Sequence, residues 1–213
     1  MEKSPCESAG RVVVPPLQRN YDEATVRALA VVRGQSPEQL EWLGAHRDGE
    51  HWALPVLDGQ LTVDLDRGNV LACSGREAAS WRILTLHYLG VSGRPASEAP
   101  AVTFADLPGG RAYDPVYQQR VIERLCRTVG RTREPLLGAG KALGGRPVQI
   151  GDVGFDFQAY PRVVLRLVWY AGDEELGPSG ALLLPANIES FFCIEDIVVL
   201  SERLVSRLSG GTF

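Results

Sequence analysis

Five carboxylates toward the C-terminal end carry the strongest chemical suggestion in the sequence. Asp173, Glu174 and Glu175 are adjacent in Gly172-Asp173-Glu174-Glu175, and Glu195-Asp196 follow a second apolar run. Converging, they would offer hard oxygen ligands to a divalent cation or a basic partner. Apart, the first three form a hairpin tip whose repulsion water screens. Glu195 and Asp196 then favour the first turn of a helix, where free amides and the dipole stabilise negative charge. The separate arrangement is the expected one, so neither a metal nor a cofactor is expected. A small-ligand pocket drawing on this region would use Trp169, Asp173, Glu174, Glu175, Glu195 and Asp196. It would also use Gly109 and Gly110 of the rigid turn Pro108-Gly109-Gly110, which brings backbone close to a neighbour.

A second group is cationic. Arg120, Arg124, Arg127 and Arg131 fall along one flank of an amphipathic segment and could bind an anion or an acidic partner surface. A solvated face balanced by Glu123 and Glu134 accounts for them equally simply.

His46-Arg47-Asp48-Gly49-Glu50-His51 reads as a polar turn before a strand, since a metal would need the rings to converge and a further ligand. His87, among apolar helical neighbours, reads as a hydrogen-bonded core residue. With three His and no Gly-x-Ser-x-Gly elbow, a nucleophilic triad is not expected. Gly138-Ala139-Gly140 and Gly144 fit a dinucleotide pattern by letter only, because a helix rather than a strand should precede them. Gly140-Lys141 lacks the Ser or Thr that would hold magnesium in a phosphate loop.

The whole chain narrows the functions further. A net charge of -4, with acidic residues spread along the 213 residues, disfavours nucleic acid as a partner. No apolar run is long enough to cross a bilayer. The N-terminal stretch has neither a signal-peptide nor a transit-peptide pattern. Cys6, Cys73, Cys126 and Cys193 are far apart without a Cys-x-x-Cys pair, and are expected to be reduced cytoplasmic thiols, three of them packed.

The elements that position these residues follow from period and punctuation. Residues 1–19 are expected to form a flexible arm, and residues 20–213 one α+β domain, with a lobe boundary in the Gly, Pro and Ser stretch 91–100. Asn20 or Asp22 caps a helix closed by Gly34, and Ser36-Pro37-Glu38-Gln39 opens a second. His51–Leu57, Gln60–Leu65 and Asn69–Cys73, separated by Asp-Gly and Asp-Arg-Gly-Asn turns, predict a three-stranded antiparallel meander. Arg76–Leu89 is a helix apolar on two faces and therefore central. Asp114-Pro115 starts a helix with Tyr117, Val121, Leu125 and Val129 as its stripe, and Glu134–Leu143 forms another. Val153–Gln158, Arg162–Tyr170 and Ala181–Leu184 are strands, and Glu195–Leu208 is the last helix. The fold class is thus α+β, an antiparallel sheet flanked by helices.

Tyr160-Pro161 before an apolar strand, Trp169 near its end, Gly172-Asp173-Glu174-Glu175 and Glu195-Asp196 form an ordered set. Leu86-His87-Tyr88-Leu89, Phe104 to Leu107 and Pro108-Gly109-Gly110 precede it. From about Tyr21 onward the chain resembles the prokaryotic family known as domain of unknown function 3786. The resemblance implies no established activity. It implies an origin largely among anaerobes and, from members with an added iron-sulfur domain, a corrinoid or one-carbon redox setting. This chain departs from those members, since Cys6 alone cannot build a cluster. Leu184-Pro185-Ala186 also stands where a family Asp is expected, which argues against a metal at the acidic cluster.

The expectation is a non-catalytic accessory or small-ligand-binding protein, with an unidentified protein or small molecule as partner and self-association left open. The alternatives are a cation-dependent enzyme using Asp173, Glu174, Glu175 and Glu195, and an interaction module using the Arg120 to Arg131 flank.

Overall fold

The structure, a computed structural model, describes residues 17–96 and 98–213, and of residues 17–22 the backbone alone. The arm expected over residues 1–19 lies outside the described residues except for its last three, which belong to helix α1 (Leu17–Arg33). α2 (Pro37–Trp42) begins as its sequence predicts: the Ser36 hydroxyl accepts from the Gln39 amide at 3.2 Å, and Pro37 spends no amide at the first helical position.

The meander has four strands rather than the expected three. β1 (His46–Asp48), β2 (His51–Val56), β3 (Gly59–Asp64) and β4 (Asn69–Ala72) pair antiparallel in that order. The added strand is the first half of the segment read as a polar turn. Gly49, at φ 61°, confines the reversal and lets His46–Asp48 pair with His51–Ala53. Between β3 and β4 the Asp64 carboxylate accepts from the amides of Asp66 and Arg67, and Gly68 takes φ 72°. α3 (Ala79–Leu89) buries Trp81, Leu84, Leu86 and Tyr88, two sides of one helix, as expected of a central element.

The second sheet has the order β5 (Ala101–Val102), β9 (Ser179–Pro185), β8 (Val163–Tyr170), β7 (Val153–Tyr160), β6 (Arg146–Pro147), all antiparallel. Phe155, Phe157, Leu165, Leu167, Trp169, Leu182 and Leu184 form its buried face. α6 (Arg133–Ala142) packs on β7 and α5 (Arg124–Arg127) on β9, while α4 (Gly110–Tyr117) adjoins the segment Gln118–Glu123 that leads into α5, and α7 (Ile194–Leu208) packs on that segment and on α6.

α4 starts at Gly110, ahead of the expected Asp114-Pro115. Gly109 is left-handed at φ 76°, and a Cβ on Gly110 would lie 1.9 Å from the Phe104 carbonyl oxygen. Only glycine allows this turn, so it fixes the start and leaves Pro115 inside the helix. A π-helical segment, Gln118–Glu123, joins α4 to α5, and the helix ends at Arg127, short of Val129. One contiguous core draws side chains from both sheets and from the helices.

Candidate functional site

Alternation along the second sheet leaves its other face to Asp156 and Gln158 of β7, Val164 and Arg166 of β8, and Leu183 and Pro185 of β9. The register sets Arg146, Asp156, Arg166 and Leu183 in one row across four strands. This row crosses a groove of about 490 Å3, whose rim includes Glu98, Pro161 and Arg162.

Asp156 is the anchor of the row, with its side chain 4% exposed. Arg166 grips it with two donors, Nε to Oδ1 at 2.6 Å and Nη2 to Oδ2 at 3.0 Å, and Arg146 Nη2 adds a third at 3.1 Å. The Arg166 hydrogen bonds hold the Asp156 carboxyl below its ordinary pKa against the opposing effect of burial, with Arg146 assisting. Arg162 is fixed differently: its Nε donates to the Trp42 carbonyl at 2.8 Å and its guanidinium lies 4.6 Å from the Trp42 ring centre. Gln158 donates to the Tyr160 carbonyl at 2.7 Å, where the β7–β8 register shifts.

Three guanidinium groups thus face two carboxylates, Asp156 and Glu98, around one groove. Arg146 spends a single nitrogen on Asp156, and its side chain is 76% exposed, so donors remain for an anion. Val164, Leu183 and Pro185 supply an apolar wall beside those donors. Such a surface suits a small anion with an apolar body.

The residues singled out from sequence lie elsewhere. Trp169 is a core residue whose indole donates to the Gly130 carbonyl at 2.8 Å. Asp173 closes its own turn, accepting from the amides of Leu176 at 2.8 Å and Glu175 at 2.9 Å, and these bonds lower its pKa. Glu174 and Glu175 are exposed. Glu195 accepts from the Tyr113 hydroxyl at 2.8 Å and pairs with Arg120 at 3.1 Å, whereas Asp196 Oδ2 meets His87 Nδ1 at 2.7 Å. Asp173, Glu195 and Asp196 therefore serve three separate local networks, and the five carboxylates do not converge. Among the described residues no group of three or more His, Cys, Asp or Glu is placed to hold a metal ion. Gly109 and Gly110 shape the start of α4.

Along the basic flank, Arg120 binds Glu202 through two bonds of 2.9 Å as well as Glu195, and Arg127 pairs with Glu123 at 2.9 Å. Arg124 and Arg131 are exposed without an ion-pair partner among the described residues. His46 and His51 share one face of the β1–β2 pair. Of the three packed thiols expected from sequence, Cys126 is half-buried against the core, whereas Cys73 and Cys193 are exposed; Cys6 lies outside the described residues. Cys73 follows β4 in a turn and Cys193 precedes the first turn of α7, so neither points into a core-facing stripe.

Arg146, Asp156, Gln158 and Arg166 are not among the residues singled out from sequence. The available signal was a charge inside each apolar strand, Asp156 between Phe155 and Phe157 and Arg166 between Leu165 and Leu167. A charge kept within a buried strand needs a partner.

Residues 36–207 match the family described as "Domain of unknown function (DUF3786)". The chain belongs to this family. The match takes in α2 through all but the last residue of α7, and so the whole groove of this DUF3786 member. No curated protein and no solved structure matches the chain. No helix among the described residues is long and apolar enough to cross a membrane.

Proposed function

We propose that the protein is a non-catalytic accessory protein that binds a small anionic molecule, a carboxylate on an apolar body, in the groove of the second sheet. The observation that carries this reading is the row Arg146, Asp156, Arg166 along an open groove with Arg162 at its rim. Asp156 holds Arg166 at fixed geometry, and a preorganised guanidinium loses less freedom when it meets a ligand. The exposed Arg146 supplies the first contact, and the apolar wall selects against small hydrated anions such as chloride. A corrinoid or one-carbon redox setting, suggested by the family resemblance, is compatible with a carboxylate-bearing ligand.

The test is calorimetric titration with hexanoate and acetate, on the wild type and on Arg146→Ala, a change that leaves the Arg166 grip on Asp156 in place. Hexanoate should bind more tightly than acetate, with affinity falling as salt rises and falling again in the variant. Absence of heat with both acids, or identical binding by wild type and variant, counts against the groove as the site.

A further inference from the structure

A second cavity, about 360 Å3, opens where α1, α3 and the start of α7 meet. Its walls are largely apolar: Val31 of α1, Leu86 of α3, and Phe191 and Phe192 from the turn before α7. Both Phe rings stack on the buried Tyr88, with centroids 6.0 and 6.1 Å from it, so the core fixes these walls.

His87 shares this lining with its side chain 34% exposed, and its Nδ1 lies 2.7 Å from Asp196 Oδ2. A carboxylate only accepts, so Nδ1 carries the proton, and Nε2 of the neutral ring is left as an acceptor. Nε2 makes no hydrogen bond to a described residue. Asp196 cannot drift, because it is buried in the first turn of α7, where free amides favour its charge. The other ionisable groups lining the cavity are Glu189 and Cys193, and among the described residues no Lys or Arg joins them.

These features narrow the occupant. A permanent anion would bring no proton for Nε2 and would meet Glu189 and Asp196 with no described Lys or Arg to offset them. A pure hydrocarbon would leave the oriented imidazole without a partner. A neutral ring bearing one hydroxyl fits both the walls and the acceptor.

We propose that this cavity is a binding site for a phenol-class molecule, whose ring packs against Phe191, Phe192 and Leu86 while its hydroxyl donates to His87 Nε2. Asp196 is a positioning residue that sets the accepting tautomer. With a sufficiently acidic phenol the proton passes fully: the O–H bond breaks, Nε2–H forms, and phenolate and imidazolium result, the latter stabilised by Asp196. The site is independent of the sheet groove, since the two share no lining residue.

The probe is 4-nitrophenol, whose phenolate absorbs apart from the phenol. Wild-type protein should bind it with growth of the phenolate band, and the bound probe should slow maleimide labelling of Cys193, with Cys73 as the internal control. In Asp196→Asn the amide donates to Nδ1, which moves the proton to Nε2. Affinity should fall about tenfold and the growth of the phenolate band on binding should be lost. His87→Phe should do the same, and nitrogen chemical shifts of the wild-type imidazole should show the proton on Nδ1. Equal binding by wild type and Asp196→Asn overturns the proposal. So do unchanged Cys193 labelling, absence of binding at millimolar probe, and tighter binding of benzylammonium than of nitrophenol.

Discussion

Tyr88 lies flat against Tyr160, ring centroids 4.5 Å apart and planes 23° from parallel, so that the central helix α3 meets β7 of the second sheet at one stacked pair. The Tyr88 hydroxyl extends the junction. It donates to the Leu43 carbonyl at 2.6 Å and accepts from the Arg162 amide at 3.2 Å, and burial pushes its ionisation well above the ordinary tyrosine range. Replacing Tyr88 with Phe keeps the stacking but leaves a buried carbonyl and an amide unpaired. The expected loss is about 2 kcal/mol in denaturant unfolding, with little change in the slope.

Asp156 should dominate the acid limb of stability. Its carboxyl titrates lower in the folded chain than in the unfolded one, so its contribution is complete above the unfolded-state value and is lost as pH falls through the folded value. Asp156→Asn should therefore cost about 2 kcal/mol near neutral pH, a figure kept modest because Arg146 and Arg166 reach solvent. The difference from wild type should shrink below about pH 4. Urea unfolding from pH 2 to 7 measures both.

Gly110→Ala should be among the most damaging single-methyl changes in the chain. The added Cβ would meet the Phe104 carbonyl oxygen at 1.9 Å, and that oxygen belongs to backbone that cannot turn aside. A loss of at least about 2 kcal/mol is expected in thermal unfolding. Gly144→Ala separates sterics from backbone strain, because that glycine has nothing within 4 Å and pays only for φ 72°.

The arginines of the basic flank should behave unequally. Arg120→Ala removes a two-bonded contact to Glu202 and a second to Glu195, and should cost about 1 kcal/mol. Arg124→Ala should fall within about 0.5 kcal/mol of wild type. A binding role for the flank would show as lost association in Arg124→Glu without loss of stability.

The elements with their own punctuation were legible from sequence. Ser36-Pro37, the Asp-Gly turn at Asp58-Gly59 and the two-faced helix around Trp81 and Tyr88 each state their structure locally. What stayed hidden depended on partners distant in sequence. Asp156 and Arg166 look like separate blemishes in two strands until the register of β7 and β8 sets them opposite each other. His87 and Asp196 lie 109 positions apart and meet only because the first turn of α7 comes up against α3. α4 starts ahead of the place that Pro at a first turn predicts, because its start is set by the close approach of Gly110 to Phe104, which no local pattern encodes.

The π-helical segment at Gln118–Glu123 acts as a phase adjuster. One residue beyond regular α-helical spacing turns everything after it by about 100° relative to everything before. Tyr117 stacks on Phe104 at 4.1 Å upstream, while Leu125 reaches the core downstream, and both contacts are met only with that offset. Forcing the segment into regular α-helical spacing at its present length would swing one of these two anchors toward solvent, whereas removing one residue would regularise the helix and keep both in place. At this place in the chain the backbone absorbs a change in length so that the facing of the two anchors is kept.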